Sequence, residues 1–100
     1  MTLEAAFKKK TLVFIREDLL PGSLTFHMNA SYNQGILDTL ILYRDRWACL
    51  EFKKSATAKK RPNQDWHRDR LDNMSFAAFI YPENSEEVLY ALHRSLTARR

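Results

Sequence analysis

Asp38, Glu51 and Lys53 are the residues whose types and spacing best suit chemistry in this 100-residue chain. Asp38 stands inside an apolar run from Ile36 to Tyr43, and Glu51 and Lys53 close a second run that starts at Trp47 and reaches Phe52. Carboxylates are scarce in covered strands because burying an unpaired charge is costly. Arg44-Asp45-Arg46 separates the runs, and this spacing predicts a hairpin. A loop centred between Arg44 and Asp45 sets Asp38 directly opposite Glu51. Opposed residues have Cβ atoms about 4.5–5.5 Å apart on one face, and Lys53, two residues on, projects from that face too. Two carboxylates so close repel unless neutralised. A hard divalent cation, Mg²⁺ or Mn²⁺, would neutralise them, with the Phe52 backbone carbonyl as a third oxygen ligand. Lys53 then stands where it could position an attacking water or offset charge developing on phosphorus. The structural alternative is a Glu51–Lys53 ion pair at a sheet edge with Asp38 capping a turn. A register slip of one residue would turn Asp38 to the wrong face.

The rest of the chain must supply elements to hold that hairpin. Thr2 to about Leu19 reads as a helix capped by Thr2, with Leu3, Phe7, Thr11 and Phe14 at helical spacing and Leu12, Ile15 and Leu19 widening the apolar face. Lys8, Lys9 and Lys10 fan round it, and Pro21-Gly22 ends it. Leu24 to His27 is β-prone, and 31–35 is a polar turn. Both runs of the hairpin are apolar on both faces, so the sheet should be covered on both sides. After a polar, basic loop (Ser55 to Arg61), Pro62 suits the first turn of a helix running to about Asn73, with Gln64, His67, Leu71 and Met74 on one face. Ser75 to Tyr81 reads as a buried strand. Asn84 and Glu87 form a capping-box pattern before a last helix whose apolar face holds Val88, Ala91, Leu92 and Leu96. The expected fold is α/β in the order α-β-β-β-α-β-α. The segment from Trp47 to Tyr81 is long enough for a right-handed parallel crossover.

Composition bounds the function. The length suits one domain, residues 1–100. Sixteen basic residues against twelve acidic give +4, with a pI near 9.4. A 45% hydrophobic content argues against disorder, and one cysteine excludes an intramolecular disulfide and any multi-cysteine metal site while fitting a reducing, intracellular compartment. No apolar run approaches a membrane span, and the charged N-terminus does not read as a signal peptide. The charge is unevenly spread. From Lys53 to Arg70 seven basic residues face only Asp65 and Asp69, a larger surplus than that of the whole chain. Beside an acidic pair, Lys54, Lys59, Lys60, Arg61 and Arg68 suit a surface that follows a phosphate backbone. His67 could also reach phosphate, although a packed histidine is the commoner role. Trp66 suits the core. His27, His67 and His93 lack metal-ligand spacing.

Asp38 followed by Glu51-Phe52-Lys53 resembles the signature of the PD-(D/E)XK nuclease superfamily. More narrowly, the chain is similar to the virus-type replication-repair nuclease domain in its small stand-alone phage form. The matching features are Glu4 on the first helix, Gly35-Ile36-Leu37-Asp38, Glu51-Phe52-Lys53, and a basic loop leading to Pro62-Asn63-Gln64-Asp65-Trp66. Leu37 stands where the name-giving proline would be. The resemblance implies a restriction-endonuclease-like core, a mixed central sheet flanked by helices. It also implies Mg²⁺- or Mn²⁺-dependent phosphodiester hydrolysis that leaves 5′-phosphate and 3′-hydroxyl ends. On this resemblance Asp38, Glu51, Phe52 and Glu4 would hold metal, Lys53 would assist the attacking water, and Gln64 would hold water or the scissile phosphate. Glu4 has an ordinary alternative, complementing the helix dipole, and Gln64 has one as a buried amide satisfied by backbone. Small members resemble Holliday junction resolvases, which implies branched DNA as partner, a homodimer and a phage origin in a host cytoplasm. Enzymes directed to flaps, nicks or ends share the fold, and a non-catalytic basic module remains the alternative from another class.

Overall fold

Thr2 caps the first helix in the computed structural model, which describes residues 1–29, 31 and 33–99. Its hydroxyl accepts the Ala5 N–H at 3.0 Å, and α1 spans Leu3–Phe14. The expected continuation to Leu19 widens into a π-helical turn, Ile15–Leu19, closed by the Leu20 N–H on the Ile15 carbonyl. The buried stripe is also narrower than its spacing suggests. Thr11 and Ile15 are buried, whereas Leu3 and Phe14 are exposed.

Four strands follow, β1 (Leu24–His27), β2 (Thr39–Tyr43), β3 (Arg46–Phe52) and β4 (Phe76–Ile80), side by side in that order. β1, β2 and β3 are antiparallel, and β4 joins β3 in parallel through a crossover containing α2 (Gln64–Met74). A 3₁₀ turn, Pro82–Asn84, leads to α3 (Ser85–Thr97). The chain is therefore α/β with a four-stranded mixed sheet, in the order α-β-β-β-α-β-α. The hairpin loop is tighter than expected. Tyr43 pairs with Arg46, which leaves only Arg44 and Asp45 in the turn, with Arg44 at φ +57°. β2 starts at Thr39 rather than Ile36. Of the predicted turn at 31–35, position 32 lies outside the described residues.

The register is the one that loop symmetry requires. Thr39 pairs with Leu50, Leu40 with Cys49 and Ile41 with Ala48. Alternation then sorts β3 between two faces. Ala48, Leu50 and Phe52 join Ile15, Ile41, Ile80, Val88, Leu92 and Leu96 in the main core, under α1 and α3. Cys49 joins Leu37, Ala77 and Phe79 in a smaller cluster, with Leu71 of α2 packed against it. Coverage is incomplete at β1, where Leu24 and Phe26 remain about half exposed. Val88, Leu92 and Leu96, four residues apart, make α3 amphipathic. The Asn84–Glu87 capping box does not form. The Asn84 amide instead accepts the Tyr81 N–H and donates to the Phe79 carbonyl, which fastens the end of β4. Pro62 precedes α2 instead of occupying its first turn. Among the described residues no helix is long and apolar enough to cross a membrane.

Candidate metal and nucleic-acid site

One step beyond the Thr39–Leu50 pair, the register places Asp38 beside Glu51. The two are tied reciprocally. The Asp38 N–H donates to Glu51 Oε1 at 3.0 Å, and the Phe52 N–H donates to Asp38 Oδ2 at 3.3 Å. Thr39 Oγ1 donates to Asp38 Oδ1 at 2.6 Å. Glu51 is only 5% exposed. Burial, and then the neighbouring Asp38 charge, hold its carboxyl above the usual value of 4.5, against the opposing pull of Gln64, Lys53 and Arg61. Lys53 Nζ lies 3.5 Å from Glu51 Oε2, and an Arg61 guanidinium nitrogen lies 3.7 Å from the same oxygen. The predicted trio of Asp38, Glu51 and Lys53 is thus brought together on one face.

Gln64, the first residue of α2, completes the cluster from the opposite wall. It is fully buried, and its Oε1 accepts from Lys53 Nζ at 2.9 Å and from the Arg61 N–H at 3.1 Å. Lys53 Nζ also donates to the Lys59 carbonyl at 3.1 Å, so the ammonium is held from three sides. Gln64 Nε2 makes no well-formed hydrogen bond, yet it stands near enough to Glu51 to favour the charged carboxylate. A buried donor without a well-formed bond costs about 1–3 kcal/mol.

Gly35 explains how the loop before Asp38 reaches α2. It has φ +85°, and a Cβ there would lie 2.5 Å from the Pro62 carbonyl oxygen and 2.9 Å from the Asn63 Cβ. Only a residue without a side chain lets the Asp38 loop close on the segment that presents Gln64.

From α1 the arriving group is a cation, not the expected acid. Glu4 is exposed and takes part in none of the cluster's ion pairs among the described residues. Lys8, one turn further on, places Nζ 3.5 Å from Asp38 Oδ1 and 3.1 Å from His27 Nδ1, with its ammonium 5.6 Å from the Phe52 ring centre. The sequence carried no sign of this. Lys8 is one of three consecutive lysines, and its selection depends on how α1 is rotated against the sheet. Among the described residues no three His, Cys, Asp or Glu side chains converge on a metal position. The donor set is two carboxylates with the Phe52 backbone close by. That suits Mg²⁺, which commonly takes one or two carboxylates and completes its shell with water and phosphate oxygens.

The basic segment divides in two. Lys54 and Lys59 are exposed, and Arg61 turns toward Glu51. Lys60 and Arg68 rest against the Phe79 ring, 4.8 and 4.9 Å from its centre. His67 is half-buried, its Nδ1 2.9 Å from the Asn63 carbonyl. Trp66 is not a core residue. It is 59% exposed, edge-on to His67 and under the Arg70 guanidinium. Met74, expected on the inward face with Gln64, is also exposed. Cys49 faces the same side as Glu51 but lies among apolar neighbours, and burial pushes its thiol up from 9.0 to about 11.

Compared with models of protein families, with curated proteins and with solved structures, the chain matches none.

Proposed function

We propose that this protein is a Mg²⁺- or Mn²⁺-dependent, structure-selective DNA endonuclease acting on branched DNA such as four-way junctions. The observation that carries the reading is the Asp38–Glu51 pair, two carboxylates locked side by side with Lys53 at 3.5 Å. Two carboxylates this close are costly to keep charged unless cations offset them. Asp38, Glu51 and the Phe52 carbonyl would hold the cation, which when bound supplies positive charge for activating a nucleophile and stabilising a pentavalent phosphorus. Lys53, held by Gln64, the Lys59 carbonyl and Glu51, would act through its charge, offsetting the negative charge that grows on phosphorus. Gln64 Nε2, which makes no well-formed bond, would donate to a phosphate or water oxygen. Lys54, Lys59, Lys60, Arg61 and Arg68 would hold the backbone without reading bases. A homodimer would set two such sites on two strands, and the apolar Leu24 and Phe26 on β1 are surface available for the contact.

Cleavage of a four-way junction in Mg²⁺, compared with flap, nicked and linear duplexes, tests activity and preference together. Wild type should cut the junction best, and Glu51→Gln should cut it at least about 10²-fold more slowly. Equal cutting by both, or none by either, would sink the proposal. One observation favours a second reading. Lys8, Lys53 and Arg61 already neutralise both carboxylates, as a non-catalytic basic module would require. That module would show no calorimetric heat with Mn²⁺, and its DNA binding would be steep in salt and indifferent to EDTA.

A further inference from the structure

Next to Lys53 the surface opens into a cavity of about 170 Å³, lined by Lys53, Ser55, Lys60, Arg68, Phe79 and Tyr81 among others. We propose that this cavity is an oxyanion subsite that takes a phosphate group. Besides Lys53, whose ammonium is held by Glu51, Gln64 and the Lys59 carbonyl, its lining holds the cations Lys60 and Arg68 and two hydroxyls, and none of its lining residues is acidic. The Lys60 ammonium and the Arg68 guanidinium lie 4.8 and 4.9 Å from the centre of one Phe79 ring, so the two cations are positioned before any ligand arrives. The carboxylates that pair with them, Asp65 and Asp69, lie outside the cavity and are more than half exposed, so solvent screens them. Glu83 accepts the Ala56 N–H at 3.4 Å and does not line the cavity either.

Size and shape narrow the ligand. The volume is several times the roughly 30 Å³ share of one water and well under the roughly 300 Å³ of a small-molecule pocket. It accommodates a tetrahedral oxyanion with its water. The Phe79 ring is only 7% exposed, with both cations against it, and offers no face for a base. Lys53 belongs both to this cavity and to the Asp38–Glu51 cluster. The bound group is therefore a phosphate close to the reacting one, an assignment that rests on the nuclease reading. The subsite itself does not.

The test is a titration of inorganic phosphate in EDTA, followed by amide NMR shifts and calorimetry. Phosphate should shift Ser55, Lys60, Arg68 and Tyr81, and Lys60→Gln/Arg68→Gln should weaken binding by about tenfold or more. Lys9→Gln/Lys10→Gln, which removes the same charge elsewhere, should bind as wild type does. No shift at those residues, or equal binding by the Lys60/Arg68 variant, overturns the subsite. So does equal weakening by the Lys9/Lys10 variant. Short oligonucleotides with and without a 5′-phosphate identify the source. Equal affinities, both reduced in the Lys60/Arg68 variant, assign an internal phosphodiester. A preference for the 5′-phosphate that this variant abolishes assigns a chain end. Oligonucleotide binding that the variant leaves unchanged overturns the polynucleotide assignment. Mn²⁺ binding measured in parallel separates the two readings, because the metal site can fail while the phosphate subsite stands, and the reverse.

Discussion

The two faces of the sheet are built from the same strands for opposite purposes. Under α1 and α3, β3 contributes Ala48, Leu50 and Phe52 to a core with Ile15, Leu20, Ile41, Ile80, Val88, Leu92 and Leu96. Under α2, the alternate residues of the same strand begin with Cys49 in a small apolar cluster and end in Glu51, with Lys53 just beyond. One face supplies most of the apolar burial. The other carries buried charge and an amide donor without a well-formed bond, both of which cost stability. A chain this short can hold such a site only because a strand's period of two lets the packed face offset the polar one.

That contrast can be broken at either face. The largest effect should come from Asp38→Asn or Glu51→Gln, each lowering junction cleavage by about 10²–10³-fold or more with circular dichroism unchanged. Retained cutting would remove the functional meaning of the polar face. On the packed face, Leu92→Ala should cost about 2–5 kcal/mol in denaturant unfolding while the folded protein keeps its Mn²⁺ stoichiometry. Gly35→Ala acts between the two. Its new Cβ would meet the Pro62 carbonyl at φ +85°, so stability should fall by about 1–3 kcal/mol and calorimetric Mn²⁺ affinity should fall with it.

Lys8 belongs to a helix of the packed face yet reaches Asp38, so Lys8→Met sharpens the comparison. Removing a positive charge 3.5 Å from Asp38 should tighten Mn²⁺ binding by about fivefold in calorimetry, with little change in melting temperature. The smallest effect concerns pH. Burial and Asp38 raise the Glu51 pKa on folding, so its ionisation costs nothing while both states are protonated below 4.5. The cost grows as pH rises through the folded value and is complete above it. The melting temperature of metal-free Glu51→Gln, relative to wild type, should therefore climb as pH rises above 4.5. A flat difference would mean that Lys53 and Arg61 fully compensate the charge.

Much of this was readable in residue order. The symmetric loop at Arg44-Asp45 gave the register, and the register carried Asp38 to Glu51 and kept Lys53 on their face. The parallel crossover was legible because a strand, a helix and a strand need that much chain. Three positions were not legible. Trp66 is apolar by type, yet on α2 it points outward. Asn84 has capping chemistry, but the 3₁₀ turn spends its amide on β4. Glu4 fits an acidic pattern, but the rotation of α1 presents Lys8 to Asp38 instead.

The sequence by itself determined the element order, the strand register and the pairing of two acids, because these follow from short-range periodicity and turn length. Only the tertiary structure decided which α1 side chain meets Asp38, that the Gln64 amide donor makes no well-formed bond, and that Lys60 and Arg68 are set on one aromatic ring. Those outcomes depend on how whole helices rotate and settle on the sheet. That is a sum over many distant contacts, and no local pattern of residues encodes it.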